Sequence, residues 1–253
     1  MPQTAPTARA IVLAASRGAA LGELTADLPK TMVDVEGEPI LSHIVRAYSR
    51  AEIRNITVVR GYCKQAVALP GVKTVDNDDF ESTGELHSLQ LALQQMDETG
   101  SGDLFISYGD VLFHRRVLDL LIAAEGDFII PVDTNWQESH NLGRHVDFVA
   151  ASAPPSRHAF KQQIELTRVA PDVAEDQRQG EWMGLLRVAE QGIPILRETV
   201  DQILEEVSGR QADLGMLLNW LAQHERHVRV VYTIGSWLDI DDLHDVVNAG
   251  SFQ

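Results

Sequence analysis

The run Ala10-Ile11-Val12-Leu13-Ala14-Ala15 is wholly apolar, and it gives way at once to Ser16-Arg17-Gly18, with Gly22 close behind. A short apolar run that empties into a glycine-bearing loop is the pattern of a buried parallel strand feeding a turn. Working outward, Ile40, Leu41, Ile44, Val45 and Tyr48 recur at helical spacing after Pro39, and Ile56 to Val59 is a second β-branched strand. Leu86, Leu89, Leu93 and Met96 form another helical stripe, followed by a strand from Asp103 to Tyr108. Val117, Leu120 and Leu121 share a helix face, and Phe128 to Val132 is a fourth strand. Strands alternating with helices predict a parallel sheet with right-handed crossovers, and ligands then belong at the strands' carboxyl ends.

Beyond Asn141 the rhythm changes. His145 to Ala150, Lys161 to Val169 and Glu181 to Val188 read as strands joined by polar or Pro-rich loops, so this half is predicted to be mixed. Helical stripes return at Ile195, Leu196, Val200, Ile203, Leu204 and Val207 and at Leu214, Leu217, Leu218 and Leu221, before a strand from Val228 to Tyr232. No repeat or low-complexity linker interrupts the chain, which reads as one α/β domain over residues 1–253 with a flexible tail at 1–8.

The formal charge is −16, which disfavours nucleic acid as a partner and requires any anionic substrate to be held by local amides, lysines and metal. Cys63 is the sole cysteine, so no internal disulfide forms and a cytoplasmic setting is expected. No apolar run is long enough for membrane insertion, and no histidine pair has zinc spacing.

Three sites carry chemistry. The first is the loop Leu13-Ala14-Ala15-Ser16-Arg17-Gly18 running on to Leu28-Pro29-Lys30: small residues let amide groups close on phosphate oxygens, and the lysine adds a point charge. The plainer alternative is that Gly18 and Gly22 simply serve tight turns. The second is Gly109-Asp110 at the end of a buried strand, where a carboxylate can hold a phosphate-bridging Mg2+, or else cap a helix starting near Phe113. The third is Trp237-Leu238-Asp239-Ile240-Asp241-Asp242, in which Asp241 or Asp242 caps the next helix while Asp239, with or without Asp241, completes a metal site with Asp110. Lysine, loop amides and metal-holding carboxylates suit nucleotidyl transfer, where positioning and charge neutralisation do most of the catalysis.

Leu13-Ala14-Ala15, Pro29-Lys30, Gly109-Asp110 and Trp237-x-Asp239, in that order and over nearly the whole chain, resemble the sugar-phosphate and choline-phosphate nucleotidyltransferases. Ala14 to Gly18, Val59-Arg60-Gly61-Tyr62, Asp76-Asn77, Ser82-Thr83-Gly84-Glu85-Leu86, Ser107 to Asp110 and Val132-Asp133 resemble, more narrowly, the phosphonate cytidylyltransferases, often fused to phosphoenolpyruvate mutase. The resemblance implies a Rossmann-like nucleotidyltransferase fold with a mostly parallel central sheet and a mixed C-terminal part. It implies Mg2+-dependent transfer of CMP from CTP to a small phosphonate such as 2-aminoethylphosphonate or 2-hydroxyethylphosphonate, with pyrophosphate released. Lys30 would be the triphosphate lysine, Asp110 and Asp239 the metal ligands and Asp241 a third. Leu13, Ala14, Ala15, Ser16, Arg17 and Gly18 would form the nucleotide loop, with Ser82, Thr83 and Gly84 over the base. Ser16-Arg17-Gly18 departs from the Gly-x-Gly-x-Arg loop of the sugar-phosphate branch.

For the acceptor, a carboxylate or aromatic face would suit an aminoethyl or trimethylammonium group. Asp133, Trp136, Glu165, Glu181 and Trp182 are the candidates, each with a plainer role as turn cap or core filler. Rival readings are a phosphocholine or phosphoethanolamine cytidylyltransferase, a sugar-1-phosphate nucleotidyltransferase and a non-catalytic nucleotide-binding module. A homodimer and a mutase partner stay open.

Overall fold

The computed structural model describes residues 8–97, 101–139, 141–142, 144, 146–156, 162–206 and 211–252. The predicted tail before Ala8, the strand ends at His145 and Lys161, and Val207 lie outside these residues. In chain order the strands are β1 (Arg9–Ala14), β2 (Asp34–Val35), β3 (Glu38–Pro39), β4 (Asn55–Arg60), β5 (Lys73–Asp76), β6 (Leu104–Tyr108), β7 (Val111–Phe113), β8 (Phe128–Asp133), β9 (Phe148–Ala151), β10 (Leu166–Ala170), β11 (Gly180–Trp182), β12 (Leu185–Val188), β13 (Val228–Thr233) and β14 (Trp237–Asp239). The helices are α1 (Ile40–Arg50), α2 (Glu85–Gln95), α3 (Arg115–Ala123), α4 (Ile193–Glu206), α5 (Leu214–Gln223) and α6 (Leu243–Ala249).

Ten strands form one sheet in the order β10-β9-β11-β8-β12-β6-β1-β4-β5, with β13 added to β8. Tracing the pairings, β1, β4, β5, β6, β8, β9 and β13 point one way and β10, β11 and β12 the other. The expected mostly parallel sheet with a mixed C-terminal part is what the chain forms. Strand β1 shows why: Ala10, Val12 and Ala14 pack into a core on one face with α1 and α3, and Ile11 and Leu13 into a second on the other with α2, α4 and α5. A strand covered on both sides must be apolar at every position.

Two expectations need correcting. The run Glu181 to Val188 is not one strand, because Met183 and Gly184 separate β11 from β12 and Gly184 has φ +69°. This break lets β11 sit between β9 and β8 while β12 sits between β8 and β6. Leu120 is only half-buried, and Leu118 takes the core place beside Val117 and Leu121. Among the described residues no helix is long and apolar enough to cross a membrane.

Candidate active site

The carboxyl ends of β1, β4, β6, β8 and β13 share one edge of the sheet, and the loops leaving them carry the residues singled out above. After β1, Gly18 takes the left-handed conformation with φ 72° and packs directly on Lys30, where an added Cβ would lie 2.5 Å from the lysine Cβ. The Lys30 N–H donates to the Arg17 carbonyl at 3.1 Å. Glycine is needed there for two reasons, the positive φ and the close approach. The Gly109 N–H donates to the Leu13 carbonyl at 2.8 Å, and a Cβ on Gly109 would reach Ala14 Cβ at 2.7 Å, so the two loops are clamped together.

Lys30 is buried, with its Nζ 2.9 Å from Asp110 Oδ2 and 2.6 Å from Asp241 Oδ1. Burial opposes its charge, but Asp110, Asp239 and Asp241 outweigh that and raise its pKa above the ordinary lysine value. Asp239 is pushed the other way from a normal carboxylate: burial, then repulsion from Asp110, raises it well above the usual range, with Lys30 opposing and Asp241 and Asp245 adding to the rise. Asp110 and Asp239 are neighbours because β7 and β14 pair antiparallel, with Asp239 opposite Val111.

Asp110 does not cap a helix. The chain continues as β7, and α3 starts at Arg115 behind His114, which makes no side-chain cap. In the acidic run Asp242 is the cap, completing a capping box with Asp245 on α6. Asp245 is fully buried, held by Arg144 Nη1 at 2.5 Å and by the N–H groups of Asp241 and Asp242 at 2.9 and 3.0 Å. This buried anchor was not readable from sequence, where Asp245 looks like one more acid on a helix. Asp241 is left to Lys30, and among the described residues no three His, Cys, Asp or Glu side chains are placed to hold a metal ion, so the three aspartates do not stand as a ready set.

Beside Asp110 opens a cavity of about 310 Å³ whose lining includes Leu13, Ala15, Ser16, Thr83, Gly84 and Tyr108. Thr83 is buried, donating to the Asp79 carbonyl and accepting from Asn77, while Ser82 is exposed. Arg17 turns aside, donating to the Thr25 carbonyl and lying over the Tyr62 ring. Glu85 also lines this cavity. Burial pushes its carboxyl up to about 7, against hydrogen bonds from the Leu214 N–H and the Tyr108 hydroxyl.

A second, smaller cavity of about 150 Å³ lies against Asp239, lined also by Asp133, Glu138, Asn141, Gly235 and Trp237. Asp133 holds this wall together: it accepts from Asn135 N, Gly235 N and Trp237 Nε1 at 2.9, 3.0 and 2.8 Å. Asp133→Ala removes three bonds to a buried carboxylate and should lower stability by roughly 3 kcal/mol, read from denaturant unfolding; an unmoved midpoint would refute the tie. Glu181 is buried behind the wall, with Oε1 accepting from Asn141 at 2.8 Å and Oε2 without a hydrogen-bond partner among the described residues. The other acceptor candidates are not brought here. Trp136 packs edge-on against Phe148 under Arg178, Trp182 is buried with its Nε1 donating to the Leu185 carbonyl, and Glu165 pairs with His227.

Comparison with known proteins bears on this edge of the sheet. The chain is 35% identical over 131 residues to the CMP-5'-(3-aminopropyl)phosphonate synthase of Streptomyces rubellomurinus, a match covering 49% of this chain and 20% of that protein. It is 26% identical over 255 residues to the CTP:phosphoglutamine cytidylyltransferase of Campylobacter jejuni, covering 94% of this chain and 97% of the relative. The inositol-1-phosphate CTP transferase of T. maritima superposes with a TM-score of 0.76 at 17% identity over 98% of this chain and 96% of that one, a likeness of fold. Residues 10–170, which hold the β1 loop, Lys30 and Asp110, match the MobA-like NTP transferase domain. The chain therefore belongs to the MobA-like NTP transferase family.

Proposed function

We propose that the chain is a Mg2+-dependent cytidylyltransferase that moves CMP from CTP to a small phosphonate or phosphate. The observation that carries this reading is the buried Lys30 ammonium, set among Asp110, Asp239 and Asp241 beneath a loop of small residues. A cation kept charged by its surroundings, beside a loop of small residues, suits a triphosphate in a protein whose net charge would otherwise repel it. The two named relatives add the cytidylyl group and a phosphonate or phosphate acceptor.

In the reaction an acceptor oxygen attacks the α-phosphorus in line, the bond to the β-phosphate oxygen breaks, and pyrophosphate carries away the electron pair. Ala15, Ser16 and Gly18 position the triphosphate, and Lys30 neutralises charge on the transferring group without giving up its proton. Asp110 and Asp239 fit Mg2+: both offer hard oxygens, and they are brought together by the β7–β14 pairing, where burial and then repulsion from Asp110 raise the Asp239 carboxyl even with Lys30 present. When bound there, Mg2+ would polarise the phosphate oxygens. The acceptor's far end would enter the cavity beside Asp239 and Trp237, with Glu181 behind it, a setting suited to an aminoalkyl group.

The test is pyrophosphate release with Mg2+ and each of CTP, UTP, ATP and GTP against 2-aminoethylphosphonate, 2-hydroxyethylphosphonate, phosphocholine, phosphoethanolamine and glucose-1-phosphate. Turnover confined to CTP with a phosphonate is the expected result. Preference for phosphocholine would keep the chemistry and change the acceptor. No turnover from folded protein that binds nucleotide would favour a non-catalytic module.

A further inference from the structure

Glu85 is the first residue of α2 and lines the cavity beside Asp110. Its Oε2 accepts from the Tyr108 hydroxyl at 2.7 Å and from the Leu214 N–H at 3.0 Å. Those donors sit on β6 and at the start of α5, so the carboxylate is fixed from two elements at once. The 211–213 segment is itself pressed onto the start of α2, since a Cβ on Gly84 would come within 2.4 Å of the Ala212 carbonyl oxygen. The cavity's other polar groups are largely occupied: Asn77 Nδ2 donates to Thr83 and Ser88 at 2.9 and 3.0 Å, Asp213 accepts from Met216 N, and Asp110 holds Lys30. Glu85 Oε1 has no donor among the described residues. It is an acceptor held in place and left open.

We infer that Glu85 sets the base preference of this cavity, its Oε1 accepting from the exocyclic amino group of a 4-aminopyrimidine and repelling a 4-oxopyrimidine. This rests on the reading that the cavity holds the base of a nucleoside triphosphate whose phosphates lie toward Lys30. Cytosine presents an N4 amino donor there, whereas uracil presents an O4 acceptor, and two acceptors facing each other in a dry pocket are disfavoured. A site built to pair a donor rejects the analogue lacking it by far more than a missing methyl group would.

The fixed orientation gives a sharp test in Glu85→Gln. The Leu214 N–H can only donate, so the glutamine must turn its carbonyl oxygen to the Oε2 position, which places the NH2 group where Oε1 was. A donor then faces the base, and uracil becomes the better partner. Affinities for CTP and UTP are measured by calorimetry with Mg2+ and no acceptor at about pH 8.5, above the value near 7 to which burial raises the Glu85 carboxyl, so that Oε1 can only accept, alongside kcat/KM with 2-aminoethylphosphonate. The native protein is expected to prefer CTP by about 10²-fold or more. Glu85→Gln is expected to erase or invert that ratio. Tyr108→Phe, which removes one anchor and keeps the charge, should lower it and serves as the second variant if Glu85→Gln unfolds.

Equal binding of CTP and UTP by the native protein, or a native ratio in both variants, would overturn the inference. CTP-selective binding that shifts in the variants without turnover of any acceptor would sink the transferase reading and leave this one standing. Turnover confined to CTP with selectivity untouched by either variant would do the reverse, and failure to bind either nucleotide would remove both.

Discussion

Lys30→Ala should lower turnover by on the order of 10³-fold or more, the scale expected when a cation that stabilises a transferring phosphoryl group is removed. The same substitution should destabilise the protein when no divalent cation is present. In the native fold the ammonium lies 2.9 Å from Asp110 and 2.6 Å from Asp241, and Asp239 is close enough to feel its charge. Without it, three carboxylates face one another at a largely buried site, and leaving charge uncompensated there is strongly unfavourable. Pyrophosphate release gives the first effect. Melting with and without Mg2+ gives the second, because Mg2+ should restore part of what the lysine supplied. A folded Lys30→Ala protein with near-native turnover would strip the residue of its role.

Asp239→Asn is expected to separate activity from stability in opposite directions. Turnover should fall by about 10²-fold or more with a raised Mg2+ requirement, as loss of an electrostatic contact to the transferring group demands. Stability without metal should rise, because burial and the nearby Asp110 hold the Asp239 carboxyl well above its ordinary pKa. A carboxyl with a raised folded-state pKa favours folding when protonated, so its ionisation weakens the fold as pH climbs from the ordinary carboxylate value toward the folded one. The variant's advantage should therefore grow as pH rises above the ordinary carboxylate value and fade near about pH 4, where the native side chain keeps its proton in both states. Melting curves across that range test the sign. An unchanged Mg2+ dependence would move the ligand role to Asp241.

What the sequence disclosed and what it hid follow from length and burial. Strands β1, β4, β6 and β8 lie between two helical layers or close to them, so each is a run of apolar residues that reads plainly. Strands β7 and β14 are three residues each, too short to show a period, and their pairing joins segments far apart in the chain. That ribbon is what sets Asp110 beside Asp239, so sequence order named both residues without showing why they meet. Strand β5 escaped notice because Lys73 and Thr74 are exposed and only Val75 is buried. Asp133 illustrates a different limit. Its position at a strand end fits a substrate contact or a turn tie equally well, and only the donors arriving from Gly235 and Trp237, a hundred residues on, show it engaged in holding a wall. The same holds for Asp241, whose partner Lys30 lies near the other end of the chain.

That last pairing ties the timing of competence to translation. Loop 13–18, Lys30 and Asp110 all leave the ribosome before residues 237–245. Asp239, Asp241 and the Asp245 anchor that seats them emerge later, together, in residues 237–245. A nascent chain stopped before that point would leave Lys30 with Asp110 alone and no second carboxylate from β14. Under the proposed chemistry it would be unable to consume nucleotide, so competence would wait for residues 237–245.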